Sequence, residues 1–378
     1  MQTALINGRV LTSRGAIEEC AVLVEGGRIA DVVRRAHVPA DAKTHDLGGR
    51  LLLPGFVDSQ VNGGGGMLFG DNPTVEILRT IAQAHAGFGT TGFLPTLISG
   101  ELKLVRAAIA AVDAAMEAGV PGIIGIHIEG PFLNRNRKGI HNAANFRPLD
   151  AEAFDVVTSF KRGRTLLTLA PEQTTPEMIG KLAAAGVIVA AGHTDATYAQ
   201  ARAALDHGLR GFTHLFNAMS PLRAREPGVV GAALDDAASW CGIIADGHHV
   251  HAATLRIALA AKGAAKLMLV TDAMPSVGAP TKSFVLQGQM ITVRDGVCFA
   301  PDGTLAGSDL DMASAVRNAM SLMHVHLAEA VSMASRNPAA FLGLSDEMGT
   351  IGRGQRANFV VTDDALAVSQ VWIDGRPV

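Results

Sequence analysis

Between residue 51 and about residue 344 the sequence alternates short apolar runs with Ala-rich amphipathic stretches. That alternation constrains the fold more than any other feature. The apolar runs cover 51–61, 92–98, 122–129, 166–170, 186–193, 211–216, 240–245 and 266–272. Helical spacing separates them, for example over 74–88, 102–118, 176–185, 198–207 and 252–261. Near-continuous apolar strands joined through helices pair in parallel with both faces covered. Eight such units predict a TIM-like (β/α)8 barrel, class α/β. A doubly wound sheet is the alternative, but no Gly-x-Gly-x-x-Gly turn follows the first run.

The two ends of the chain read differently. Residues 1–52 and 350–378 hold short strand-like runs and turn pairs with little helix. They are expected to pair into one small β-sandwich domain beside a barrel spanning 53–349. Within the first end, Asn7-Gly8 between apolar flanks predicts a hairpin.

Composition excludes several classes. A 48% hydrophobic and 18% charged chain of 378 residues can bury a large core and does not suit extensive disorder. The net charge is −3, with no Lys/Arg block interleaved with aromatics, so no nucleic-acid partner is expected. The apolar runs fall short of the roughly 20 residues a membrane span needs. Cys20, Cys241 and Cys298 are too scattered for a disulfide framework or a thiolate metal site. With no basic leader ahead of an apolar stretch, the expected location is the cytoplasm.

Polar residues collect at one end of the predicted strands, the end where barrel enzymes place their chemistry. Glu129 closes Gly122-Ile-Ile-Gly-Ile-His-Ile-Glu129, and His193, His214 and Asp272 stand in equivalent places. A carboxylate at the tip of an apolar strand needs compensation for its charge, and a metal ion supplies it. Two imidazoles and one carboxylate suit Zn²⁺ and leave a position for water, although Fe²⁺, Mn²⁺ or Co²⁺ would accept the same set. Asp272 reads as the general base for a water acidified by that metal, or alternatively as a helix N-cap before Ala273. His141, in Lys138-Gly-Ile-His-Asn142, could polarise a carbonyl or lie on the surface. Arg223 and Arg225 suit an anionic substrate group or a solvated loop. Of the histidines in Asp246-Gly-His-His-Val-His251, one or two at most can reach such a site. His127 sits two residues deeper than Glu129 and is expected in the barrel interior.

Taken together, Pro54-Gly-Phe-Val-Asp58, Leu94-Pro-Thr96, His127-Ile-Glu-Gly-Pro131, Lys138-Gly-Ile-His-Asn142, Leu169-Ala-Pro-Glu172, Gly192-His193, Thr213-His-Leu-Phe-Asn-Ala-Met219, Arg225-Glu-Pro-Gly228, Ala245-Asp-Gly-His-His-Val250, Val270-Thr-Asp-Ala273 and Gly303-Thr-Leu-Ala-Gly-Ser308 form a recognisable set. The chain resembles the amidohydrolase superfamily over essentially its whole length. Within it, the set is similar to the deacetylases of N-acetylglucosamine 6-phosphate. The resemblance implies hydrolysis of that sugar's acetamide to glucosamine 6-phosphate and acetate. It implies Glu129, His193 and His214 as metal ligands, Asp272 as acid/base and His141 on the carbonyl. The backbone of Asn217 and Ala218, with Arg225 and His249, would hold the phosphate. Ile140 and Leu305 would line the sugar and acetyl pocket. It also implies a homodimer in which Arg225 reaches the partner's site.

One departure matters. Where many amidohydrolases carry His-x-His for a second metal, this chain has Gln60-Val-Asn62. Amides are weaker ligands than imidazoles for zinc-like ions, so one metal is expected and the second position vacant. The alternatives are a deacetylase of N-acetylgalactosamine 6-phosphate or of another N-acyl amino sugar, a silent scaffold, and a phosphosugar-binding protein.

Overall fold

The computed structural model describes residues 2–12, 14–15 and 17–378. Eight parallel strands form the central sheet in chain order: Phe56–Val61, Thr90–Ile98, Gly125–Glu129, Arg164–Leu169, Ile188–Ala191, Leu209–Phe212, Trp240–Ile243 and Leu267–Leu269. The first and last meet only near their C-terminal ends, through a bridge between Val61 and Ala273. There the Asp272 amide donates to Gln60 O at 3.1 Å and the Asn62 amide to Ala273 O at 2.9 Å. Asp58 secures this seam from inside. Its carboxylate accepts from the Thr271 hydroxyl and from the Gln60 amide, the latter at 3.1 Å. The seam thus fixes the backbone from which Gln60, Asn62 and Asp272 emerge.

The barrel interior is layered. At the floor, Val57, Leu94, Ile124, Leu166, Ile188 and Met268 pack against Phe341, Leu342 and Met348 from the chain beyond the last strand. Above lies a polar layer. His127 Nδ1 is 3.1 Å from Thr96 Oγ1 and its Nε2 is 2.8 Å from Thr168 Oγ1, which is 2.7 Å from Thr213 Oγ1. Every ring nitrogen of this buried histidine therefore has a partner, as a buried polar group requires. Gly192 belongs to the same layer: a Cβ there would lie 2.7 Å from Thr168 Cγ2 and 3.0 Å from Thr213 Cβ. Outside the barrel, helices such as Val75–Ala86, Pro176–Ala184 and Tyr198–Asp206 start on Thr74, Thr175 and Thr197. The hydroxyls of these threonines accept first-turn amides, as good N-caps do.

A second eight-stranded sheet joins the chain ends. Leu51–Pro54 lies between Thr3–Leu11, which runs parallel to it, and Phe359–Thr362, which runs antiparallel. Its own core includes Leu5, Val22, Leu52, Phe359, Val361 and Trp372.

Two local expectations change, and one further sheet appears. The apolar run 51–61 is two strands, because the chain leaves one sheet and enters the other at Gly55. A Cβ at Gly55 would lie 2.0 Å from Thr91 Oγ1, so no side chain fits this crossing. Asn7-Gly8 makes no hairpin. Thr3–Leu11 continues through it as one strand with a register shift, the signature of a bulge. Asn7 takes the positive φ of 56° there, while its side chain donates to Asp46 at 2.6 Å. Finally, an antiparallel sheet of Ser283–Leu286, Gln289–Arg294, Val297–Phe299 and Leu305–Ser308 follows the eighth barrel strand. Its turns at Gln287-Gly288 and Asp295-Gly296 have positive φ at both residues. That is the two-residue hairpin chemistry that this stretch of sequence carries openly.

Candidate active site

Glu129, His193 and His214 come together at the C-terminal mouth of the barrel. Glu129 Oε1 is 3.0 Å from His214 Nε2 and 3.3 Å from His193 Nε2, and the two imidazole nitrogens are 3.1 Å apart. All three residues are buried, and their ligand atoms converge closely enough to hold one metal ion. His193 is set for that role by its other nitrogen. Nδ1–H donates to the Arg137 carbonyl at 2.8 Å. The hydrogen bond on one ring nitrogen fixes the tautomer, so the Nε2 lone pair faces Glu129 and His214. Two imidazole nitrogens and a carboxylate oxygen at such separations form a donor set that fits a divalent cation.

Burial pushes the Glu129 carboxyl up, but the close imidazoles of His193 and His214 outweigh it and hold Glu129 well below the usual carboxylate range. Burial pushes His214 down, and Glu129 reverses this and raises it. A proton and a cation would therefore compete for the same lone pairs.

Asp272 stands beside the triad and shares the Gln60 amide with Glu129. Its Oδ1 accepts from Asn62 Nδ2 at 2.7 Å and from Gln60 Nε2 at 3.1 Å, and Gln60 Nε2 also lies 3.2 Å from Glu129 Oε1. Burial, followed by the charge of Glu129, raises the Asp272 carboxyl to about 6. No helix begins at Ala273, so Asp272 is not an N-cap.

His141 is buried 3.9 Å from Glu129 Oε2 through its Nε2. The Ser99 backbone N–H donates to His141 Nδ1 at 3.3 Å, and Ser99 Oγ is 2.8 Å away. Nδ1 is thus an acceptor, and the neutral ring carries its proton on Nε2, toward the cavity. Burial, then His193, pushes this histidine down to about 3, which keeps it neutral.

The positions of several of these groups rest on unusual backbone. His193, His214, Ala218 and Asp272 have φ of 50°, 32°, 52° and 53°. This is the left-handed region that non-glycine residues avoid. Such strain collects at functional sites because surrounding contacts must hold it in place.

A cavity of about 370 Å³ opens over these groups, lined also by Ile140, Asn217, Ala218, His249 and Leu305. The His249 and Asp246 side chains are buried together, with His249 Nδ1 2.6 Å from Asp246 Oδ2. Arg225 lies elsewhere, in an exposed loop outside this cavity. His248 is exposed, and His251 caps the helix Ala252–Lys262. Sequence reasoning missed Ser99, Asn136, Arg137, Leu286 and Thr304. The polar run Asn134-Arg-Asn-Arg137 ahead of Lys138 was a usable signal for two of them, and the hairpin turns were one for Leu286.

The model of the amidohydrolase family matches residues 51–378. The chain belongs to the amidohydrolase family. A second model, the NagA composite domain, matches residues 3–52. This amidohydrolase is 43% identical to an N-acetylgalactosamine-6-phosphate deacetylase of Shewanella sp. (strain ANA-3), over 97% of this chain and 94% of that one. It is 35% identical to an N-acetylglucosamine-6-phosphate deacetylase of Haemophilus influenzae, over 100% and 99%. Among solved structures it is similar to the N-acetylglucosamine-6-phosphate deacetylase of Pasteurella multocida, with a TM-score of 0.96 at 33% identity and full coverage of both chains.

Proposed function

We propose that this amidohydrolase hydrolyses the acetamide of N-acetyl-D-glucosamine 6-phosphate, giving D-glucosamine 6-phosphate and acetate. The observation that carries the reading is the convergence of a buried Glu-His-His cation site with a proton-accepting carboxylate on one sugar-sized cavity. The full-length relatives named above carry the same chemistry in their names.

Glu129, His193 and His214 hold one divalent cation, Zn²⁺ by the match of donors. When bound, such an ion acidifies a water and polarises a carbonyl oxygen. Asp272 takes the proton of the attacking water, held in place by the Gln60 and Asn62 amides. As the water oxygen bonds to the acetyl carbon, the His141 Nε2–H stabilises the charge growing on the carbonyl oxygen. Asp272 then delivers its proton to the sugar nitrogen, the C–N bond breaks, and acetate leaves. Backbone amides of Asn217 and Ala218, with His249, take the phosphate, and Ile140 and Leu305 flank the sugar and acetyl group. Arg225, exposed on one chain, completes the phosphate contact across a homodimer. The small β-domain is assigned to 1–54 and 350–378 and the barrel to 55–349, two residues later than the boundary at 52 expected from the sequence, because Leu51–Pro54 pairs within the second sheet. The three free thiols fit the reducing cytoplasm.

A second reading keeps the chemistry and changes the sugar to its galactosamine epimer, favoured by the 43% identical relative. Acetate release from both 6-phosphates and from unphosphorylated N-acetylglucosamine tests both readings. Release from the glucosamine ester well above the other two is expected. Preference for the galactosamine ester would move the assignment to the epimer, and release from neither would refute the deacetylase reading.

A further inference from the structure

Glu172 ends the motif Leu169-Ala-Pro-Glu172, lies just past the fourth barrel strand, and has no part in the reaction described above. Its carboxylate gathers three donors from two other loops. Oε1 accepts from Asn134 Nδ2 at 2.8 Å and from the Asp195 amide at 2.7 Å, and Oε2 accepts from Thr194 Oγ1 at 2.5 Å. Two of these donors, Asn134 and Thr194, lead to different parts of the site.

The Asn134 side leads to the His193 ring. With Nδ2 on Glu172, Asn134 turns Oδ1 to cap the short helix Arg135–Arg137, accepting from the Asn136 amide at 2.8 Å. The last residue of that turn, Arg137, supplies the carbonyl that takes the His193 Nδ1 proton. The Asn134 amide also donates to the His193 carbonyl at 3.0 Å, which clamps the residue in its left-handed conformation. The Thr194 side leads to the turn around Ala218. The Thr194 amide donates to Ala218 O at 3.1 Å, and the Ser220 amide donates to Thr194 O at 3.0 Å.

We infer that Glu172 is a positioning residue that locks His193 in its Nδ1–H tautomer and holds the Asn217-Ala218 turn in register with it. Through one carboxylate, the cation side and the anion side of the cavity are built as a unit. Partners that orient a ligating imidazole typically contribute about 10- to 100-fold to metal affinity. The metal and phosphate arms rest on the function proposed above; the tautomer arm does not.

The test compares wild type with Glu172→Ala and Glu172→Gln. In metal-free protein at pH 8, ring ¹⁵N shifts of His193 should report Nδ1–H in wild type and a mixture of tautomers in Glu172→Ala. On adding Zn²⁺, Glu172→Ala should bind about 10- to 100-fold more weakly. Its KM for the 6-phosphate ester should rise more than its kcat falls. Glu172→Gln keeps an oxygen for the two N–H donors, and Thr194 can turn its hydroxyl to accept from the new amide, so this variant should recover most of both properties. An unchanged His193 tautomer in Glu172→Ala overturns the inference, whatever the protein proves to hydrolyse. Equal Zn²⁺ affinity and KM in all three proteins, with only the melting temperature lowered, also overturns it, since that is the behaviour of a merely structural group. Absence of Zn²⁺ binding in wild type would count against the proposed function, and the tautomer would still decide the role of Glu172.

Discussion

The two sides of the barrel mouth handle a buried carboxylate in different ways. On one side Glu129 faces two imidazole nitrogens that lie 3.1 Å apart. On the other, Asp272 faces two carboxamide N–H groups, the nearer at 2.7 Å from Asn62 and the other from Gln60, which also reaches Glu129 at 3.2 Å. Imidazole lone pairs crowded against a carboxylate call for a cation or a proton between them. Amide N–H groups already satisfy the carboxylate they meet. The difference separates the roles proposed here: one side concentrates positive charge, and the other holds a carboxylate able to gain and lose a proton.

The largest expected effect comes from removing that proton carrier. Asp272→Asn should retain its metal and lose about 10³- to 10⁴-fold in turnover, because general acid–base catalysis at both steps is lost. Metal content and kcat measured on one preparation check this, and near-normal turnover would erase the contrast between the two sides. His141→Ala, which removes the neutral Nε2–H donor, should lower kcat about 10²- to 10³-fold with little change in metal content. Arg225→Ala should raise KM for the phosphorylated sugar about 10-fold or more and leave the unphosphorylated sugar unaffected. An equal loss with both sugars would remove Arg225 from the phosphate site.

The smallest effect is a pH dependence on the imidazole side. Glu129 raises the His214 pKa, so the ring holds a proton more firmly than a free histidine, and that proton must leave before a cation binds. Metal affinity is therefore expected to be full above the raised value and to fall as pH drops through it, by up to about 10-fold per unit for each proton displaced. Zn²⁺ titrations between pH 6 and 8.5 would show this, and pH-independent affinity would mean that the triad is not protonated.

Much of this arrangement is legible in the sequence. An apolar strand that ends in Glu129, and others that lead into His193, His214 or Asp272, advertise themselves because a polar tip on a buried strand costs free energy unless it is used. Helices such as those within 74–88 and 102–118 are legible through their apolar spacing. What could not be read depends on contacts from distant backbone. The Arg137 carbonyl that selects the His193 tautomer and the Ser99 amide that selects the His141 tautomer carry no side-chain signature. The break at Gly55 follows from the close approach of Thr91, a tertiary contact that a run of apolar residues conceals. Asn7-Gly8 shows the reverse error. Its local turn chemistry is real, but pairing with strands on both sides converts it into a bulge.

The most direct test of the division between the two sides is metal stoichiometry in three proteins: wild type, His193→Ala/His214→Ala and Gln60→Ala/Asn62→Ala. One equivalent in wild type, retained without the amides and lost without the imidazoles, is the predicted result. Two equivalents in wild type, with one lost on removing Gln60 and Asn62, would contradict it and make the amide side a metal site as well.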